Sequence, residues 1–219
     1  GDCLDGDNTT EGAVPAVDKQ GRIFVAWAWG ETIWLDRSYD GGKTWLARDI
    51  DVTQIFGGWD MSIPGVGRAN GMPVLMCDNS DGPSSGTLYI LWADQRFGAA
   101  DTDVFIVSSK DQGDTWSKPA RVNKDGAGKQ QFFPWLAVDA TTGHVYAVYY
   151  DRRAYVDTQT DVYVAFSTDG AKTFTERKVS EQPFVPSTGA FFGDYNNISA
   201  HGGVVAPIWT RMDGRTTTV

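Results

Sequence analysis

Apolar residues in this chain come in short runs separated by Gly, Asp and Asn. The early runs are Ala13-Val14-Pro15-Ala16-Val17, Ile23-Phe24-Val25-Ala26-Trp27 and Ile33-Trp34-Leu35. A second series is Met72-Pro73-Val74-Leu75-Met76-Cys77, Leu88-Tyr89-Ile90-Leu91-Trp92 and Val104-Phe105-Ile106-Val107. A third is Pro134-Trp135-Leu136-Ala137-Val138, Val145-Tyr146-Ala147-Val148-Tyr149 and Val162-Tyr163-Val164-Ala165-Phe166. A fourth begins at Tyr195-Asn196-Asn197-Ile198-Ser199-Ala200 and Val204-Val205-Ala206-Pro207-Ile208-Trp209, and reaches Thr216-Thr217-Thr218-Val219. No stretch has the 3.6-residue period of an amphipathic helix, and runs this short, rich in Val, Ile, Tyr and Trp, predict strands. The chain therefore reads as all-β, in units of four antiparallel strands over residues 11–55, 70–123, 131–184 and, in part, 191–219.

Each of the first three units carries a version of one eight-residue turn. The copies are Ser38-Tyr39-Asp40-Gly41-Gly42-Lys43-Thr44-Trp45, Ser109-Lys110-Asp111-Gln112-Gly113-Asp114-Thr115-Trp116 and Ser167-Thr168-Asp169-Gly170-Ala171-Lys172-Thr173-Phe174. The Asp at its head accepts hydrogen bonds from backbone N–H groups ahead of it, and Gly supplies a positive φ. Thr resumes extended geometry, and the closing aromatic covers the hairpin. Four-stranded units repeated at this spacing are the blades of a β-propeller, three complete and a fourth partial. The pattern resembles the Asp-box (BNR) repeat of sialidase-like β-propellers of the secreted bacterial type, and the resemblance spans nearly the whole chain. Closed propellers have about four to eight blades, so the chain is expected to be a single propeller domain over 1–219 or part of a larger one.

Strand parity divides the candidate chemistry between two faces. In a four-stranded meander the turn between strands three and four lies at one end. The loop between strands two and three, and the connection into the next blade, lie at the other. The Asp-box turns are thereby scaffold, set away from a site on the second face. Positions on that face include Asp94 and Arg96 after strand two of blade two, Asp151 and Arg153 after strand two of blade three, and Arg211 in blade four. Glu11, Arg68 and the pair Asp194-Tyr195 precede first strands. Arg offers forked donors for a carboxylate, and paired carboxylates can act as acid and base on a glycosidic bond. Asp194, Tyr195 and Asp151 are the candidate catalytic groups, and Arg96, Arg153, Arg211, Asp94, Arg68 and Glu11 the candidate ligand-binding ones. The competing reading makes the two Asp-x-Arg segments ion pairs that staple the blades. The resemblance implies a Tyr nucleophile backed by Glu and a clamp of three Arg, one directly before an Ile-Pro pair. Here Ser62 stands before Ile63-Pro64, so that Arg is not matched, and the Tyr–Glu pair is not assigned. The stretch 56–71 is the longest irregular segment, read as an excursion over the surface or, functionally, as a lid.

Composition narrows the partners. The 219 residues carry a formal net charge of −9 with no basic cluster, which argues against nucleic acid and anionic membrane surfaces. No apolar run approaches the roughly 20 residues that cross a bilayer as a helix. Two cysteines, Cys3 and Cys77, are too few for a zinc site alone; they are a disulfide or two thiols. Asp2, Asp5 and Asp7 lie in an acidic N-terminal segment, and Asp78, Asn79 and Asp81 in a second. Oxygen donors in loops suit structural Ca²⁺, although neither has EF-hand spacing and both also read as solvated acidic loops. No cofactor is required. The expected protein is secreted or at the cell surface. It recognises a glycan or glycoconjugate, or serves as an assembly module for protein partners; the alternative is an exo-sialidase type of glycoside hydrolase.

Overall fold

The computed structural model describes residues 10–214 and 216–219, and among them there is no helix. The first sheet holds β1 (Glu11–Val17), β2 (Ile23–Trp29), β3 (Thr32–Ser38) and β4 (Ile50–Gln54) in sequence order. A small hairpin follows, β5 (Asp60–Met61) with β6 (Ala69–Asn70). The second sheet holds β7 (Val74–Cys77), β8 (Leu88–Asp94), β9 (Asp103–Ser109) and β10 (Ala120–Arg121). The third holds β11 (Gln131–Val138), β12 (Val145–Asp151), β13 (Asp161–Ser167) and β14 (Thr175–Lys178). The fourth unit is two hairpins, β15 (Asn197–His201) with β16 (Val204–Ile208), and β17 (Arg211–Asp213) with β18 (Thr216–Thr218). These are the blades of a propeller, three complete and a fourth partial. Their first strands β1, β7, β11 and β15 lie side by side in that order.

Period-two alternation explains why the blades stack. β8 is buried at all seven positions. Leu88, Ile90 and Trp92 face one side and pack with Phe24, Ala26, Ile33 and Leu35 of the first blade. Tyr89 and Leu91 face the other and pack with Leu136, Val145, Ala147 and Tyr149 of the third. A strand covered on both faces reads as a continuous apolar run, as Leu-Tyr-Ile-Leu-Trp does.

The three Ser-x-Asp turns share one bond pattern. In the first, Ser38 Oγ donates to Asp40 Oδ1 at 2.9 Å and accepts the Gly42 N–H at 2.8 Å. Asp40 also accepts the N–H groups of Lys43 and Thr44 and the Thr44 hydroxyl, at 3.0, 2.8 and 2.7 Å. Trp45 Nε1 closes the turn on the Gly42 carbonyl at 3.1 Å. The third copy keeps the Ser167 and Asp169 bonds although Ala171 stands in the glycine position with φ 63°.

The segment 56–71 is not an excursion over the surface. Met61, Ile63, Val66 and Ala69 are buried with Phe132, Tyr150, Phe184 and Phe192. The segment is pinned by two residues outside it and by one bond within it. Gln95 Nε2 donates to the Ser62 carbonyl at 3.0 Å, Arg152 to the Pro64 carbonyl at 2.6 Å, and the Gly71 N–H to the Trp59 carbonyl at 2.7 Å. Four apolar residues at irregular spacing carry no strand or helix period, which is why their burial is invisible to pattern reading.

Candidate functional site

A cleft of about 160 Å³ opens where the first strands converge, at the end of the blades away from the Ser-x-Asp turns. Gly12, Ala13 and Val14 of β1 form one wall, with Asn70, Met72, Pro73 and Val74 on the way into β7. Phe133, Pro134 and Trp135 of β11 and Asp194-Tyr195, just before β15, complete it. The first strands of successive blades touch one another, so residues distant in sequence meet at their entries. Gly12 is required by this approach: with φ 66°, a Cβ on it would lie 2.6 Å from Met72 Cβ.

Of the residues predicted for the site, the structure brings Asp194 and Tyr195 into the cleft and Arg68 beside it. Arg68 Nε lies 3.1 Å from Asp194 Oδ1, yet that oxygen is buried and accepts no hydrogen bond. Asn70 Nδ2 donates to the Asp194 carbonyl at 2.8 Å, fixing the backbone. Tyr195 is 66% exposed, and its ring stands 5.8 Å from that of Trp135, tilted by 53°. Glu11 precedes Gly12 on β1 and is half-buried; its side chain is not part of the cleft lining.

Asp94, Arg96, Asp151 and Arg153 are engaged elsewhere. Asp94 is buried and bonded by Arg96 through Nε (2.9 Å) and NH2 (2.6 Å) and by Trp92 Nε1 (3.0 Å). The Arg96 guanidinium lies 3.7 Å above the Phe105 ring. Arg153 bonds Asp151 through Nε at 2.8 Å and NH2 at 2.6 Å, and also Glu176 of β14. Tyr149 donates to Glu176 at 2.6 Å. Burial pushes the Asp151 carboxyl up. Burial also works against the Arg153 charge, but Glu176 and Asp151 more than offset it and raise its pKa. Both are ion pairs at strand ends, each with a buried carboxylate. Arg211 pairs at 2.9 Å with Asp213, the same two-residue spacing with the charges exchanged, and it does not line the cleft.

Asp2, Asp5 and Asp7 lie outside the described residues, as does Cys3; Cys77 is buried, and burial pushes its thiol up to about 11. In the second acidic segment Lys19 donates to the Ser80 carbonyl at 2.9 Å and pairs with Asp81. A lysine ammonium thus already sits among those oxygens. Among the described residues no group of three or more His, Cys, Asp or Glu side chains is disposed to hold a metal ion.

Sequence reading missed Trp135, Met72 and Phe133 as cleft residues and Arg152 as a buried group. Arg152 is 1% exposed, bonds Thr160 Oγ1 at 3.0 Å, and lies 5.1 Å over the Phe132 ring. Desolvation lowers its pKa to about 10.

No protein-family model and no curated protein matches the sequence. The architecture is similar to that of a Hadza microbial sialidase, with a TM-score of 0.61, 15% identity, and 95% of this chain and 46% of that chain covered. It is also similar to an α-L-arabinofuranosidase of Fusarium graminearum in complex with an iminosugar inhibitor (TM-score 0.56, 18% identity, 80% and 49% covered). A protein of unknown function from Dyadobacter fermentans gives a TM-score of 0.53 at 19% identity, with 86% and 53% covered. The chain spans about half the length of these structures. At such identities the similarity speaks for the propeller fold.

Proposed function

We propose that this chain is a sialidase-like Asp-box propeller, secreted or at the cell surface, that recognises glycans in the cleft at Asp194 and Tyr195. The observation that carries the reading is the exposed Tyr195 ring beside Trp135, with the Arg68–Asp194 pair next to it. A sugar ring presents C–H faces that stack on aromatic rings and hydroxyls that bond to carboxylate and guanidinium. The fold shared with a sialidase and an arabinofuranosidase is in keeping with a glycan ligand.

A second reading, glycoside hydrolysis, draws on one detail. Asp194 lines the cleft and is held on its Oδ1 side by Arg68 at 3.1 Å, and a carboxylate in a cleft wall can exchange a proton with a bound substrate. Two-carboxylate hydrolysis needs a partner group, and Asp194 is the one carboxylate among the described residues that line the cleft. Binding is therefore the primary reading.

The test is a glycan array and a panel of fluorogenic glycosides, sialosides and α-L-arabinofuranosides included, applied to the longest natural polypeptide that contains this chain. Binding is expected, with Tyr195→Ala and Asp194→Ala each weakening it by roughly tenfold or more, about 1.4 kcal/mol or above. Turnover abolished by Asp194→Ala would establish hydrolysis instead. Neither binding nor turnover would remove both readings.

A further inference from the structure

The cleft beside Tyr195 is built on two breaks in strand register. β1 shifts against β2 between Glu11 and Val14, and β11 against β12 between Phe132 and Trp135. Gly12 sits in the first break with φ 66°, and Phe133 in the second with φ 48°. Glycine adopts such a φ freely. A phenylalanine does not, and holds it only where its surroundings leave no other choice. Here Pro134 follows it, and Asn196, itself 3% exposed, donates Nδ2 to the Phe133 carbonyl at 2.9 Å. Strained backbone of this kind gathers at binding sites. β7 touches both β1 and β11, so Met72 and Pro73 lie between the walls that the two breaks form.

The polar side chains that face this space are few. Asn70 is spent: its Nδ2 donates to the Asp194 carbonyl at 2.8 Å, and its Oδ1 accepts the Met72 N–H at 3.2 Å. What remains is the Asp194 carboxylate, on a side chain 18% exposed, and the Tyr195 hydroxyl. No lysine, arginine or histidine is among the described residues of the lining. Arg68 stands beside it with its charge set against Asp194 at 3.1 Å. Two further carboxylates adjoin lining residues: Glu11 precedes Gly12 on β1, and Asp60 pairs with Asn70 in the β5–β6 hairpin. Asp194, Glu11 and Asp60 outnumber Arg68, so the cleft disfavours an anion.

We infer that the cleft takes a neutral 6-deoxyhexose unit, stacked on Tyr195 and Trp135 with its methyl group on Met72 and Pro73, and that it turns away sialic and uronic acids. The inference rests on the glycan reading of the cleft and adds the class of sugar. A carboxylate accepts hydrogen bonds and donates none, so sugar hydroxyls fit Asp194 and a second carboxylate does not. A hydroxymethyl group in place of the methyl would bury its hydroxyl against Met72 and Pro73 without a partner, which is costly. An acetamido methyl would bring an amide with it, and the one side-chain amide of the described lining residues, Asn70, is already spent. At about 160 Å³ the cleft is smaller than the roughly 300–1,000 Å³ of sites for drug-sized ligands, so it holds a single ring.

Calorimetric titration of the longest natural polypeptide that contains this chain tests it with matched probes. L-fucose is set against L-galactose and L-rhamnose against L-mannose, pairs that differ only in the 6-hydroxyl. N-acetyl-D-glucosamine, D-galacturonate and N-acetylneuraminate are run alongside. At least one 6-deoxyhexose should bind saturably, roughly tenfold or more tighter than its hydroxylated counterpart, with an affinity that added salt leaves unchanged. Tyr195→Ala should abolish that binding, and Met72→Gln should bring the matched pair to within about twofold. A hydroxylated hexose, N-acetyl-D-glucosamine or either acid binding as tightly as the 6-deoxyhexoses overturns the inference and leaves glycan recognition standing. So do a preference undiminished in folded Met72→Gln, and array glycans bound with no 6-deoxyhexose among them. A blank glycan array with no binding of any probe overturns both, as does 6-deoxyhexose binding that survives Tyr195→Ala. Should Met72→Gln fail to fold, the matched pairs measured on the wild type decide alone.

Discussion

Arg153 shows how a single residue's role turns on what folds against it. Its guanidinium serves two carboxylates, Asp151 at the end of its own strand and Glu176 on β14, and lies 4.3 Å over the Tyr163 ring. All three charged side chains are at most one-fifth exposed. Removing the cation leaves two buried carboxylates without compensation, so Arg153→Met should lower unfolding free energy by about 3–5 kcal/mol, measured by denaturant titration. The Asp-x-Arg spacing is visible in the sequence at Asp94-Gln95-Arg96 and Asp151-Arg152-Arg153. Its assignment to scaffold is not, because that follows from the burial of Asp94 and Asp151 and from Glu176, which is distant along the chain. Arg152 is harder still to read, since a run of two arginines gives no sign that the first turns inward.

At the scale of the element, the Ser-x-Asp turns behave as their sequence requires. Asp111 takes the Thr115 hydroxyl and N–H at 2.5 and 2.9 Å and the Ser109 hydroxyl at 2.8 Å. These bonds, the Thr115 hydroxyl foremost, hold its carboxyl at about 2, below the ordinary 3.8. Asp40 is held at about 2 by the equivalent Thr44 bonds. A carboxyl depressed on folding contributes stability that is fully present above its unfolded value and is lost as pH falls through the folded value. The stability from these turns should therefore decline between pH 3.8 and about 2. Urea midpoints across that window should fall in the wild type and fall less in Asp111→Asn, which starts lower; equal slopes would show that the turn carboxylates carry no such linkage. The turn was legible because all its donors and acceptors lie within eight residues. The closing glycine was legible too: Gly42 and Gly113 adopt φ 85° and 95°.

At the scale of the whole molecule, the segment 56–71 decides how blades one, two and three meet and where the cleft lies. Gly71 is its closest approach. A Cβ there would stand 2.3 Å from the Ala93 carbonyl oxygen and 2.7 Å from Met61 Cε. Backbone cannot yield as a side chain does, so Gly71→Ala should cost about 2–3 kcal/mol. Thermal unfolding would register this, and an unchanged midpoint would mean the segment shifts freely.

By itself the sequence determined the strands, their grouping into four-stranded blades, the glycine-closed turns and the face on which Asp194 and Tyr195 lie. All of these are set by interactions within one blade, and the period of two and the turn chemistry record such local interactions directly. The tertiary structure alone decided which charged residues are free. It buried Asp94 and Asp151 against the partly exposed Arg96 and Arg153 at strand ends, set Arg68 against Asp194, and placed Trp135 beside Tyr195. The ion pairs form within one blade and the Arg68–Asp194 and Trp135–Tyr195 contacts across its boundary, and all of them depend on how side chains pack and desolvate one another in three dimensions. The free energy of a charge is fixed by the neighbours that replace its water, and some of those neighbours, such as Glu176 for Arg153 and Arg68 for Asp194, are far away in the chain.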